Sequence, residues 1–217
     1  MIFMKHSSTE NFGGIYLGAI LFRFCFNFFL TWFPTYLVEY RGLDFIKSGF
    51  LASIPFLAAF IGVLLAGFTS DYLIKIGRTA EFARKTPVLI GLLLSTFIIG
   101  ANFTDSVFFI ILFLTIAFFG NGLASITWVF VSLIAPKRII GLVGGVFNLI
   151  GGLSAVIVPS VIGFLVEGGD FSPALYFIGI LTTIGFLSFL LVVGKVERIE
   201  LDKPNNLEKI DLENNDN

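Results

Sequence analysis

Six apolar stretches, each near the length needed to cross a bilayer, fill most of the 217-residue chain. A hydrocarbon core about 30 Å thick takes roughly 20 residues of helix. The stretches run over 14–38, 48–69, 87–101, 106–133, 139–166 and 173–193. Polar or turn-rich breaks separate them: YRGLDFIK from Tyr40, SDYLIKIGRTAEFARKT from Ser70, NFTDS from Asn102, APKR from Ala135 and EGGDFS from Glu167. The pattern predicts an all-α membrane protein, a bundle of six transmembrane helices. Pro87 and Pro173 suit the first turn of a helix, where a missing N–H leaves nothing unpaired. The third stretch is the shortest. Pro34, Pro55 and Pro159 can each kink a span, because each removes one backbone hydrogen bond.

Composition excludes several function classes. The chain is 56% hydrophobic and 13% charged, against roughly 25% charged in a soluble domain. It carries 28 Phe. A water-soluble globule could not cover that much apolar surface, which argues against soluble enzymes, nucleic-acid binders and disordered chains. A net charge of -1 gives no bulk attraction to a polyanion. Cys25 and His6 stand alone, so neither an internal disulfide nor a Cys/His metal site can form. No phosphate-binding loop, GxSxG elbow or HExxH helix occurs. An intramembrane enzyme would need embedded His, Asp, Glu or paired nucleophiles, and the spans hold none. The expectation is a protein that is not an enzyme and takes no metal or cofactor. The first span is too long for a signal peptide, contains Arg23, and ends in TWFPTYL without a small-residue cleavage site.

Three regions follow: an N-terminal segment (1–13), a six-helix transmembrane domain (14–193), and a solvated, disordered tail (194–217) rich in Asn and charged residues. Eleven of the fourteen Lys and Arg lie in the two terminal segments and in the breaks after spans two and four. The other face has only Arg41 and Lys47. By the positive-inside rule both termini are expected in the cytoplasm.

Arg23 is the one charged residue within the six spans. A charge at mid-bilayer costs about 2.5–3.5 kcal/mol on insertion scales. Tyr16, Arg23, Asn27, Thr31 and Pro34 fall on one helical stripe. Either the stripe lines a cavity in which Arg23 attracts an anion, or Arg23 snorkels to the nearer membrane surface. In span four Asn121, Ser125, Trp128 and Ser132 share a face. Hydrogen-bonding groups with one indole suit a polyhydroxylated ligand. The same groups also serve as interhelical glue. Span five is rich in glycine, with Gly141 and Gly145 spaced for close helix contact and Asn148 in register with Gly144 and Gly152.

The chain resembles a known family in FFLTWFPTYLVEYRG ending span one, SDYLIKIG and FARKTP of the basic loop, FFGNGLASITW in span four, and APKRIIGLVGGVFNLIGG leading into span five. It is similar to the C-terminal half of major facilitator superfamily transporters, in the anion:cation symporter branch with bacterial D-galactonate and D-glucarate transporters. The resemblance covers about residues 14–200. It implies spans seven to twelve of a twelve-span fold in a bacterial inner membrane. It also implies transport of a small organic anion, such as a sugar acid, coupled to a proton or other cation. By motif it carries substrate contacts onto Ser125, Thr127, Trp128 and Asn148. Thr127 falls on a different face from Ser125 and Trp128 unless the helix is distorted there. Arg23 departs from the pattern, which has a neutral polar residue in that region. Gly67, Asp71, Gly77 and Arg78 match the second copy of the superfamily's loop motif, which latches the cytoplasmic side. There Gly67 permits close helix approach and Asp71 accepts bonds from a neighbouring helix N-terminus.

The resemblance places the coupling carboxylates and the main substrate arginines in the first six spans, which this sequence does not include. Met1 would fall in the central cytoplasmic linker. The expected reading is therefore a half-transporter needing an N-terminal six-span half. A homodimerising six-span transporter and a non-functional or regulatory fragment are the alternatives.

Overall fold

The computed structural model describes residues 6–135 and 137–191. The predicted tail lies outside the described residues. The first apolar stretch is a broken helix. α1 (His6–Thr31) starts within the polar N-terminal segment, and α2 (Phe33–Thr35) continues it into a π-helical turn, Tyr36–Tyr40. The two parts meet at 48°. Pro34 explains the break: it offers no N–H to the carbonyl of Leu30, and its ring opposes that carbonyl. Pro55 and Pro159 lie inside unbroken helices, so of the three prolines it is Pro34 that coincides with a bend.

α3 (Phe45–Lys75) is capped by Asp44, whose carboxylate accepts from the N–H groups of Ile46 and Lys47 at 3.0 and 3.4 Å. It stops at Gly77, with φ at 85°. There the Gly77 N–H bonds Ile74 O and the Arg78 N–H bonds Leu73 O, a Schellman closure that a side chain would strain. α4 (Ala80–Ser95) begins three residues after Gly77, capped by Thr79, and runs on as a 3-10 helix over Thr96–Phe103. This corrects the third span. It covers Ala80–Phe103, and Pro87 is interior rather than first-turn. The Thr79 cap starts the helix early, so the basic segment from Ser70 is mostly helix and only 76–79 form the connection.

α5 (Val107–Ala124) and α6 (Thr127–Ile134) divide the fourth stretch at Ser125 and Ile126. There the chain tightens to i→i−3 bonds, from Ser125 N to Gly122 O and from Val129 N to Ile126 O. α7 (Ile140–Leu165) and α8 (Ser172–Leu191) complete the set. The Ser172 N–H donates to Asp170 at 2.9 Å. That bond holds the Asp170 carboxyl below its usual pKa. Among the described residues five helices are long and apolar enough to cross a membrane, and the bent first segment makes six. Exposed Phe50, Phe68, Leu149 and Leu191 suit lipid rather than water.

The packing has an internal exchange pattern. α1 lies against α7 and α8, α5 against α3 and α4, and α4 meets α8. The first helix of each three-span group thus packs on the last two of the other group. α5 is the most buried span, and α3 and α7 are the least. Lipid supplies no hydrophobic force between helices, so close approach must hold them. A Cβ on Gly91 would meet Gly120 O and stand 2.6 Å from Ala124 N, and one on Gly62 would stand 3.1 Å from Leu123 N. Backbone therefore meets backbone on both sides of α5. The expected close contact at Gly141 and Gly145 does not occur, since nothing described lies within 4 Å of either position. At the other end of span one, Arg41 donates to Tyr36 Oη at 2.8 Å and pairs with Asp105 at 3.4 Å, tying the π turn to the end of the third span.

Two substitutions separate tight from open glycines. Gly91→Val should lower stability by about 2–3 kcal/mol, since overpacking meets main chain that cannot give way. Gly67→Ala, with open space around it, should be neutral or stabilise by up to about 1 kcal/mol. Thermal unfolding of the detergent-purified protein measures both.

Candidate functional site

The polar stripe of span one faces α7. α1 and α7 run in the same direction, and their contacts form successive rungs. Tyr16 Oη donates to Val143 O at 3.0 Å. Arg23 Nη2 donates to Asn148 Oδ1 at 3.2 Å. Asn27 Nδ2 donates to Ser154 Oγ at 2.6 Å and to Arg23 O at 3.1 Å. Thr31 turns back onto its own helix, donating to Asn27 O at 2.7 Å. Pro34 lies exposed beyond the break. The stripe is thus an interhelical seam at Tyr16 and Asn27, and only part of it opens outward. Asn27 is 7% exposed, so its amide supports the seam rather than an open wall.

Arg23 does not run along α1 toward a membrane surface. It crosses to α7, half-buried, with its guanidinium carbon 5.5 Å from the Phe147 ring centroid. Its hydrogen-bond partner there is a neutral amide. Among the described residues the ion pair found is that of Arg41 with Asp105, so no described carboxylate neutralises Arg23. A guanidinium in low dielectric without a counter-ion attracts any anion that can reach it.

Phe147 gathers the rest of the site. It is buried and takes Tyr16 edge-on at 5.5 Å and Trp128 at 4.9 Å. Trp128 is 43% exposed and lies over Gly144, 3.6 Å from where its Cβ would be. Asn148 is exposed next to Phe147. Arg23, Asn148 and Trp128 therefore put a charge, an amide and an indole on one open face where α1, α6 and α7 meet. A carboxylate, hydroxyls and a carbon chain are the complementary groups.

The residues expected on one face of span four differ in their surroundings: Asn121, before the i→i−3 bonds at Ser125 and Ile126, is buried, and Trp128, after them, is exposed. Asn121 is 2% exposed and donates to Phe22 O at 3.0 Å. Thr127 is also 2% exposed, with its hydroxyl bonded to Ala124 O. Both are engaged with main chain. Ser125 is half-buried at the break itself. The Ser132 side chain lies outside the described residues. The loop-motif residues lie apart from this site. Asp71 is exposed, and Arg78 stacks its guanidinium 5.8 Å from the Phe82 ring. Gly67 has nothing within 4 Å, so no helix of the described residues approaches it.

Phe147, Gly151 and Ser154 escaped the sequence pattern. Their spacing of four and three residues marks one helical face and matches the opposing stripe of α1. The match emerges only once α1 and α7 are known to be neighbours. The Asn27–Ser154 contact should behave as a coupled pair. Asn27→Ala and Ser154→Ala should each lower thermal stability, and the double variant should show a coupling of about 0.6 kcal/mol, read from unfolding of all four proteins.

The family profile described as Major Facilitator Superfamily matches residues 15–213. The chain is 51% identical over 186 residues to a D-galactonate transporter of Escherichia coli, covering 86% of this chain and 43% of that protein. It is 42% identical over 191 residues to a "Probable galactarate/D-glucarate transporter" of Bacillus subtilis, covering 88% and 42%. A hexuronate transporter of Bacillus subtilis is 30% identical over 197 residues, covering 84% and 46%. The chain spans less than half the length of these relatives. With six apolar helices and a profile match over most of its length, this multi-pass membrane protein belongs to the Major Facilitator Superfamily of transporters.

Proposed function

We propose that this chain forms one half, the C-terminal six spans, of a transporter that carries a sugar acid such as galactonate or glucarate across a bacterial inner membrane. The observation that carries the reading is Arg23, a membrane-embedded cation with no described carboxylate beside it, on the same open face as Asn148 and Trp128. Arg23 takes the carboxylate, Asn148 bonds hydroxyls, and Trp128 lies along the carbon chain. Asn27, bonded to Ser154, keeps the α1–α7 seam in register. Ser125 supplies a hydroxyl where the span breaks, while Asn121 and Thr127 brace main chain around it.

The names of the relatives support the substrate class. The Lys and Arg asymmetry supports cytoplasmic termini. The six apolar stretches of the sequence hold no carboxylate, and Glu39, Asp71 and Glu81 lie at helix ends outside them, so coupling to a proton or other cation is assigned to a partner half. Alternating access then rocks the two halves about the central site. The open surroundings of Gly67 and the exposed Asp71 leave that end of α3 free to latch against the partner.

Uptake of radiolabelled D-galactonate tests this in cells lacking their own sugar-acid transporters. The chain is expressed alone, and then with the N-terminal half of a related transporter. Uptake is expected only with the partner, and Arg23→Ala or Trp128→Ala should lower it about tenfold, the equivalent of about 1.4 kcal/mol. Uptake by the chain alone would instead indicate a homodimer. Stable insertion with no uptake in either case would contradict transport and favour a non-transporting fragment.

A further inference from the structure

Arg23 lies across a missing side chain. A Cβ at Gly151 would stand 2.5 Å from Arg23 Cδ, 2.6 Å from Nε and 3.0 Å from Cζ. These three atoms are the nearest heavy atoms to that position, and all belong to Arg23. Gly152, one residue on, has nothing among the described residues within 4 Å. The space at Gly151 is therefore occupied by this one side chain and not by the backbone of another helix, unlike the space at Gly91.

The same spot lacks an acceptor. Arg23 Nε is buried and has no hydrogen-bond partner among the described residues. The Gly151 carbonyl accepts from Ser154 Oγ, which in turn accepts from Asn27. The stem of the arginine is thus held by shape alone. Its outer nitrogen is held by one hydrogen bond to a neutral amide and by the Phe147 ring. A guanidinium fixed in place with donor capacity left over is the arrangement that favours an arriving carboxylate, because little is lost in ordering it.

From this we infer that Gly151 is the positioning residue for Arg23: its absent side chain seats the arginine against α7, so that the guanidinium faces the anion site beside Asn148 and Trp128. The inference rests on the reading of Arg23 as the anion-binding group, and it deepens that reading by naming what aims it. An alanine at 151 meets only the outer part of a flexible side chain. The helices can stay at their present separation, held by the Tyr16–Val143 and Asn27–Ser154 rungs. What changes is the place of the guanidinium.

The test uses the full chain purified in detergent and has two arms. The first needs no ligand. Thermal midpoints are compared for the wild type, Gly151→Ala, Asn148→Ala and the double variant. If Gly151 seats Arg23 on Asn148, Asn148→Ala lowers the midpoint in the wild type and has no further effect beside Gly151→Ala. Equal effects in both backgrounds would overturn the seat. Should Gly151→Ala prove unstable, adding Arg23→Ala must restore stability by vacating the space, and failure to do so would likewise overturn it.

The second arm titrates D-galactonate against Trp128 fluorescence in a Trp32→Phe background, which leaves one of the chain's two tryptophans. Gly151→Ala should weaken binding about tenfold, and should change nothing once Arg23→Ala is present. Wild-type affinity in Gly151→Ala would overturn the positioning role. If the unsubstituted protein binds no galactonate, the reading of Arg23 as the anion-binding group of this chain falls, and the first arm still decides the seat.

Discussion

Hydrocarbon offers the backbone no hydrogen bonds and gives helices no hydrophobic reason to meet. Everything in this bundle answers to that constraint. Each apolar stretch closes its own hydrogen bonds as helix, and α5 is then gripped through glycines on both sides. Gly91 opposes Gly120, and Gly62 lies against the Phe119–Leu123 main chain. Dispersion at such close range replaces the burial that would hold a soluble core together. Phe29 stacked on Phe118, with ring centroids 4.1 Å apart, extends the same principle to side chains. The grip on α5 leaves α3 and α7 as the loosely covered members.

The candidate site lies where α7 is loosely covered. One face of it must accept the polar stripe of α1, and its other surfaces stay open. Arg23 enters this seam as a charge that no described carboxylate balances. It is tolerated through shape (the vacancy at Gly151), through the Phe147 ring and through one bond to Asn148. Those contacts hold the group without neutralising it. That combination, stable placement with residual charge, is what an anion-binding wall requires. Trp128 lies beside these contacts, just past the i→i−3 bonds at Ser125 and Ile126, with its indole over Gly144.

The spans were legible in the sequence because bilayer thickness and hydropathy act on each segment separately. The start of α4 was less so, since the Thr79 cap made a helix of residues that look like a polar loop. The surroundings of span four were less legible for a similar local reason: i→i−3 bonds interrupt it at Ser125, and Asn121 is bonded to the Phe22 carbonyl of a neighbouring helix. Neighbour relations were not legible at all. Gly151 is one glycine among several in span five, and its role appears only when Arg23 lies across it. Phe147 and Ser154 were hidden the same way, as an unremarked aromatic and a small polar residue on an apolar helix. By contrast, the charge of Arg23 stood out at once, because its cost in the membrane demands an explanation.

We propose that Arg23 makes this face a site for a carboxylate. The most direct test compares two ligands that differ in charge, D-galactonate and its neutral 1,4-lactone, by equilibrium dialysis against the purified chain and its Arg23→Gln variant. The expected result is that the wild type prefers the anion about tenfold, a difference of about 1.4 kcal/mol, and that the variant binds both ligands alike. An unchanged preference for the anion in Arg23→Gln would contradict it.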